Sequence, residues 1–357
     1  MKFGAMVATK VDDWQLLQYA ENLGYDHGWV PDSQMIWSDC YAVLALAAWH
    51  TSRIRLGTGV AIAGMRQAPV TACAIASINR IAPGRVFLGI GTGHTALRVM
   101  GFDPIQPRAF REYLRVVRGL LRGQEVAYTL DGETRDIRFL HRELGFIDLE
   151  HPIPIYVAAN GPRALAAAGA FGDGRVSAGN EPPEAIERSL GAVREGAGGT
   201  LPPDFHTAAL TFSCVLEPGE RLDSERVIDE VGSMVTAGFH YWYEAYRKTR
   251  RDDFIPEIAR DEWLQYLEYL GKLDVPPEKL HQRIHDGHCT FVLPEERRFI
   301  TPNTILAAGG LVGTPDEIID MLRERERGGL REVTLLPPMA CARKNFADFA
   351  KHVIERY

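Results

Sequence analysis

Four short segments of the chain carry residue types that could do chemistry. In the first, Pro31-Asp32-Ser33 with Trp37 close behind, a carboxylate ends an apolar run. There it can accept hydrogen bonds from polyol hydroxyls or cap the next helix. The second, Gly89-Ile90-Gly91-Thr92-Gly93-His94, lets bare backbone approach a flat ring or a phosphate. It ends in an imidazole, whose ordinary pKa of about 6.5 suits it to give or take a proton. The GxGxG spacing departs from the GxGxxG dinucleotide fingerprint, and no acidic residue follows at the end of the next strand, so nicotinamide binding is not expected. A tight turn at a strand end is the other reading of these glycines. The third segment is Asn160-Gly161-Pro162-Arg163. Asn can cap a helix and Pro fits its first turn, so outward amides beside a cationic Arg163 favour a phosphate; an ordinary helix start is the alternative. The fourth, His240-Tyr241-Trp242-Tyr243, lines either a substrate lid or a helix packing face.

Other chemistries lack their signatures. There is no GxSxG elbow, HExxH, Walker loop or glycosidase carboxylate pair, which leaves hydrolase readings unsupported. Cys40, Cys73, Cys214, Cys289 and Cys341 are odd in number and widely spaced, with no CxxC. They read as reduced, buried packing residues, and no metal site is expected. With 40 Lys+Arg against 47 Asp+Glu, the net charge of −7 argues against a nucleic-acid face. No window approaches the roughly 20 apolar residues of a membrane helix, and Met1–Val11 lacks a signal-peptide pattern, so a cytoplasmic protein is expected.

The elements that must position these segments alternate between strand and helix. Lys2–Ala8 is a short apolar run, and Asp12 can cap a helix with Leu16, Leu17, Ala20 and Leu23 on one face. Further strands are expected near residues 29, 58, 87, 156, 176, 211 and 334, with helices between them. Eight parallel strands in 357 residues favour one (β/α)8 TIM barrel of about 250 residues carrying two insertions. One is a polar hairpin at about 124–151, turning at Asp131-Gly132; the other is a helical excursion at about 220–300. In such a barrel the chemistry belongs to loops at the C-terminal ends of the strands, where the first three segments fall.

These residues resemble the bacterial luciferase-like superfamily of flavin-dependent oxidoreductases. The match is nearest to its branch using the deazaflavin coenzyme F420, typified by methylenetetrahydromethanopterin reductase and F420-dependent glucose-6-phosphate dehydrogenase. Four segments carry it: Trp29-Val30-Pro31-Asp32 with Trp37, Leu56-Gly57-Thr58-Gly59-Val60, Pro83 through Gly93, and Pro154 through Pro162 leading into Gly172-Asp173-Gly174. The resemblance implies a non-proline cis peptide at Gly59-Val60 supporting the ring. It implies cofactor contacts at Asp32, Gly59, Val60, Ala61, Thr92, Gly93, Ala159, Asn160, Gly161 and Arg163, and a homodimer. The expected activity is hydride transfer between F420 and a small organic substrate, the alternative being an FMN-dependent monooxygenase that uses reduced flavin and O2. Three departures bear on substrate. Ser33 stands where the sugar-phosphate and alcohol dehydrogenases carry a catalytic His, and His94 where they carry Glu. No counterpart of the phosphate-binding Lys lies near Ser177 to Asn180, so glucose 6-phosphate oxidation is not expected. His94 is the expected catalytic residue, with Ser33, Trp37, His240 and Tyr241 lining the substrate pocket.

Overall fold

The computed structural model of the chain describes residues 1–8, 10–179 and 181–357, with Ala178 described for its backbone alone. Asn180, the last position considered for a phosphate-binding lysine, lies outside the described residues. Eight strands form the frame: β1 (Lys2–Met6), β2 (His27–Val30), β3 (Arg55–Thr58), β4 (Val86–Gly91), β5 (Ile155–Ala158), β6 (Gly174–Ala178), β7 (His206–Thr211) and β8 (Glu332–Leu335). Each pairs in parallel with the next, and β8 returns to pair with β1, so the sheet closes into a barrel. Closure leaves no free edge in the barrel.

Because side chains alternate along a strand, each strand serves two cores. The outward set, including Ala5, Leu56, Leu88, Ile155, Val157 and Val333, packs against the surrounding helices. Those helices are α1 (Gln15–Asn22), α2 (Cys40–His50), α3 (Ala68–Ile81), α4 (Pro107–Leu121), α5 (Pro162–Phe171) and α6 (Pro183–Gly196). The inward set, Met6, Trp29, Phe87, Tyr156, Val176 and Ala208, fills the barrel. Their volume is accommodated by Gly57, where a Cβ would lie 2.3 Å from the Phe87 ring.

The hairpin at Val126–Leu130 and Glu133–Ile137 turns at Asp131 and Gly132, both with positive φ. The helical excursion contains α7 (Glu225–Thr249) and α8 (Arg260–Gly271), whose Phe239, Trp263 and Tyr266 form an apolar cluster with Phe299 and Ile300. Its two ends are clasped by short parallel strands, Ser213–Val215 against Leu311–Gly313. Cys289, Met234 and Ala237 of the excursion pack on the barrel's interior cluster, which sets the excursion over the C-terminal mouth. The chain then closes through α9 (Pro315–Arg327), started by a Thr314/Glu317 capping box, and α10 (Ala342–His352).

Several local expectations are corrected. Asp12 does not cap α1: Val11–Asp13 forms a separate 3-10 turn and the helix begins at Gln15 without a side-chain cap. The strand expected near residue 211 ends at Thr211, and after Phe212 the chain starts the first clasp strand. All five cysteines are unpaired, but Cys73 is exposed, so packing does not explain it. Among the described residues, no helix is long and apolar enough to cross a membrane.

Candidate active site

The site is built around an interruption in the barrel wall. β3 stops at Thr58, the Gly59–Val60 peptide is cis, and pairing resumes at Ala61–Ile62 against Ile90 and Gly91. The bulge explains the glycines of the β4 segment. At Gly89 a Cβ would meet the Thr58 carbonyl at 2.1 Å, and at Gly91 it would press on Val60 at 3.0 Å. These glycines make room for the bulge and need no nucleotide to account for them.

Asp32, 3% exposed, braces the bulge from β2. Its Oδ2 accepts from the Ile62 amide at 3.3 Å and from Arg66 Nη1 at 2.6 Å. Arg66 also donates to Asp39 and lies over the Tyr41 ring. Asp39, not Asp32, caps α2, through the Tyr41 and Ala42 amides. Ser33 is buried, and its carbonyl accepts from the Ile36 and Trp37 amides.

After β4, Gly93 at φ +86° turns the chain into a short helix, His94–Arg98. Only a glycine adopts that conformation without strain. The His94 ring keeps an exposed edge but sits among dense protein atoms. Burial, together with the Arg98 and Lys248 charges, lowers its pKa from 6.5 to about 4. Tyr241 reaches over from α7 to within 6.2 Å of the ring, and Arg98 lies 5.9 Å from Tyr241.

Hydrogen bonds tie the excursion to the mouth. Trp37 Nε1 donates to Thr290 Oγ1 at 3.1 Å, and Thr95 Oγ1 contacts His288 Nε2 at 3.2 Å. Behind His288, its Nδ1 lies 3.0 Å from Nδ1 of His240, so one of the two must be the Nδ1-protonated tautomer. The His285 ring lies tilted against both, and Glu296 Oε2 is 3.7 Å from His240 Nε2. Burial lowers the pKa of His240, reinforced by His285 and Arg283, and that of His288, reinforced by its two histidine neighbours. Burial also lowers His285, with Arg98 contributing, while a hydrogen bond to the His281 carbonyl and the Glu244 charge oppose the shift. For Glu296 burial works the other way and lifts the pKa to about 7, against the pull of Arg283. The group is therefore neutral imidazoles beside a carboxyl that titrates near neutrality.

The fourth corner is the loop after β5. Asn160 does not cap α5: the N-cap is Gly161, with no side-chain cap, and Asn160 Oδ1 instead takes a 3.4 Å contact from Arg175. Arg175 also donates to the Ala159 carbonyl at 2.8 Å and pairs with Glu181, which fixes the loop. The first-turn amides of α5 are thus uncapped, Arg163 beside them is exposed, and a Cβ on Gly161 would meet nothing within 4 Å. An anion fits that arrangement.

The structure therefore brings Asp32, Gly59, Val60, Ala61, Thr92 and Gly93 into one contiguous wall and sets His94 beside Tyr241. Ser33 and Trp37 lie where the excursion is tied down. His240 lies deeper, separated from the mouth by His288. Sequence reasoning missed Arg66, Thr95, Arg175, His285, His288, Thr290 and Glu296. The helical spacing of His281, His285 and His288 was a usable signal for part of this set.

Residues 12–332 match the profile of the family described as luciferase-like monooxygenase. The chain is 32% identical over 223 residues to a 5,10-methylenetetrahydromethanopterin reductase of Methanolobus tindarius, covering 61% of this chain and 65% of that protein. It is 35% identical over 225 residues to an F420-dependent glucose-6-phosphate dehydrogenase of Kineococcus radiotolerans, covering 58% and 65% respectively. The matches thus span less than two thirds of these relatives' length. The solved coenzyme F420-dependent tetrahydromethanopterin reductase of Methanopyrus kandleri superposes with a TM-score of 0.71 at 22% identity, covering 100% of this chain and 99% of that one, and has the same fold.

Proposed function

The chain belongs to the luciferase-like monooxygenase family, and from that footing we propose that it is an oxidoreductase moving a hydride between coenzyme F420 and a small organic substrate in the mouth of the barrel. The observation that carries this reading is the F420 dependence named in a curated relative and in the superposed structure. The residues fit such a group: the Gly59–Val60 bulge offers a surface poor in side chains for a flat ring, and the uncapped start of α5 with Arg163 suits a phosphate. When bound, the deazaflavin supplies the carbon that carries the hydride.

The protein's own part is placement and proton control. Asp32 and Arg66 keep the bulge in shape; Thr92 and Gly93 flank it; Ala159, Asn160, Gly161 and Arg163 hold the phosphate end. His94 is unprotonated at neutral pH, because its pKa is lowered to about 4, and so enters as a proton acceptor. Tyr241, Ser33 and Trp37 form the substrate side, with His240 supporting it through His288. The excursion limits water access and selects the substrate. The same reading makes the protein a cytoplasmic homodimer, which light scattering on the purified chain checks for its oligomeric part.

The family's description favours one second reading, an FMN-dependent monooxygenase fed with reduced flavin and O2. Titrating the purified protein separately with F420 and FMN, following fluorescence, tests both. Saturable binding of F420 with little of FMN supports the first. Tight FMN binding with none of F420 overturns it, and oxygen uptake during turnover then identifies the second.

A further inference from the structure

At the opposite end of the barrel, the first inward positions of β2, β7 and β8 are polar: His27, His206 and Glu332. We propose that these three side chains form a divalent-metal site, of the kind zinc occupies, closing the base of the barrel. His27 Nδ1 lies 2.7 Å and His206 Nε2 2.6 Å from the same carboxylate oxygen, Glu332 Oε2, and the three donor atoms fall within 4.8 Å of one another. Two imidazoles and a carboxylate are a donor set that zinc takes with one position left open.

The carboxylate is held as a metal ligand is held. Its other oxygen, Oε1, accepts from Trp29 Nε1 at 2.7 Å and from Thr334 Oγ1 at 2.8 Å, which turns Oε2 toward the imidazoles. Gly4 on β1 permits this packing, since a Cβ there would lie 2.4 Å from Glu332 Oε1. Glu332 is fully buried and His27 is 4% exposed, while His206 faces a cavity of about 610 Å³ that opens at the base.

Hydrogen bonding alone leaves this group incomplete. His206 makes an aligned bond to Oε2, but His27 Nδ1 is misaligned at its short distance and has no other partner among the described residues. Arg55 lines the same cavity, and its buried Nε is also unpartnered. A cation shared by the three donors gives His27 Nδ1 a lone-pair partner. The open position faces the cavity, where the Arg55 guanidinium favours an anionic fourth ligand such as hydroxide or a carboxylate. At metal–ligand distances of about 2.0–2.1 Å, tetrahedral donors stand roughly 3.3 Å apart, so Glu332 Oε2 and each imidazole nitrogen separate by about 0.6–0.7 Å to admit the ion. Because the site lies at the N-terminal face, its contribution is to stability, tying β2, β7 and β8 together. No sequence motif announces it, since the ligands are separated by well over a hundred residues.

The test uses the full-length chain stripped with chelator. Zinc chloride titrated calorimetrically is expected to bind with a stoichiometry of one per chain and raise Tm, and cobalt is expected to give the visible absorption of a four-coordinate ion. His206→Gln is expected to weaken zinc binding by more than about a hundredfold, since losing a ligand costs more than losing a supporting hydrogen bond. His151→Gln, at an exposed imidazole paired with Asp148, is expected to leave binding unchanged. Absent or substoichiometric binding by the wild type overturns the proposal and leaves a metal-free hydrogen-bonded cluster. Unchanged binding in His206→Gln overturns it in favour of a surface site. Should His206→Gln fail to fold, the cobalt spectrum of the wild type decides: octahedral or absent absorption rejects the site.

Discussion

The two ends of the barrel bury histidines in opposite electrostatic settings. At the base, His27 and His206 converge on Glu332, and although burial would raise that carboxyl's pKa, the two imidazoles outweigh it and hold it ionised. At the mouth, His240, His285 and His288 are just as enclosed, but the nearby carboxylate, Glu244, is committed to Arg247 and faces Arg98. Without a free counter-charge these three go neutral, and Glu296 titrates near 7. Burial is common to both ends, so the neighbouring groups decide how each carboxyl titrates: Glu332 is held low and Glu296 is pushed up.

The strongest way to break this contrast is to delete the base carboxylate. Glu332→Ala leaves Trp29 Nε1, Thr334 Oγ1 and two imidazoles without their acceptor. Urea unfolding of the chelator-treated protein is expected to show a loss of about 3–5 kcal/mol. A change below about 1 kcal/mol would mean that the base cluster is not a stabilising unit.

Acid separates the two ends next. The mouth histidines His240, His285 and His288 have folded pKa values below the unfolded 6.5, so between those values the unfolded chain binds more protons. Stability is therefore complete above pH 6.5 and lost as pH falls toward the folded values, by up to about 1.4 kcal/mol per pH unit for each group. Glu296 has the opposite sign: its raised pKa adds stability as pH falls from about 7 toward the carboxylate range, partly offsetting the histidines. His288→Phe is expected to flatten the pH dependence of the urea midpoint, and an unaltered slope would remove the mouth group as its source.

At the mouth, Asp32→Ala removes the brace on the bulge but leaves Arg66 its pairing with Asp39. A stability loss of about 1–3 kcal/mol is expected, with weaker F420 binding by titration. Intact cofactor affinity would show that the bulge holds without its brace. His94→Gln is expected to act most narrowly: F420 affinity stays the same while turnover falls by roughly a hundredfold. In the wild type, the rate should be level above about pH 5 and decline as the ring protonates near 4. Equal rates in the two proteins would exclude His94 from proton transfer.

The barrel was legible from alternating strands and helices, and the segments at strand ends were legible because glycines, Asp32 and His94 interrupt apolar runs. The purpose of the glycines was not. Gly89 and Gly91 look like ligand-binding positions until the bulge of another strand is seen against them. Asn160 and Asp12 misled because capping propensity is local, whereas Arg175 reaches Asn160 from the neighbouring strand. The base cluster was hidden because inward-facing polar residues on different strands share no spacing along the chain. His288 and Thr290 escaped notice because their partners, Thr95 and Trp37, lie about 200 residues or more away.

The clasp between Ser213–Val215 and Leu311–Gly313 has an evolutionary consequence. Since both ends of the excursion are fixed side by side, lengthening or replacing what lies between them adds loop-closure entropy that grows only with the logarithm of length. The barrel can thus exchange the intervening segment as a cassette, acquiring a new roof while its walls and floor stay as they were.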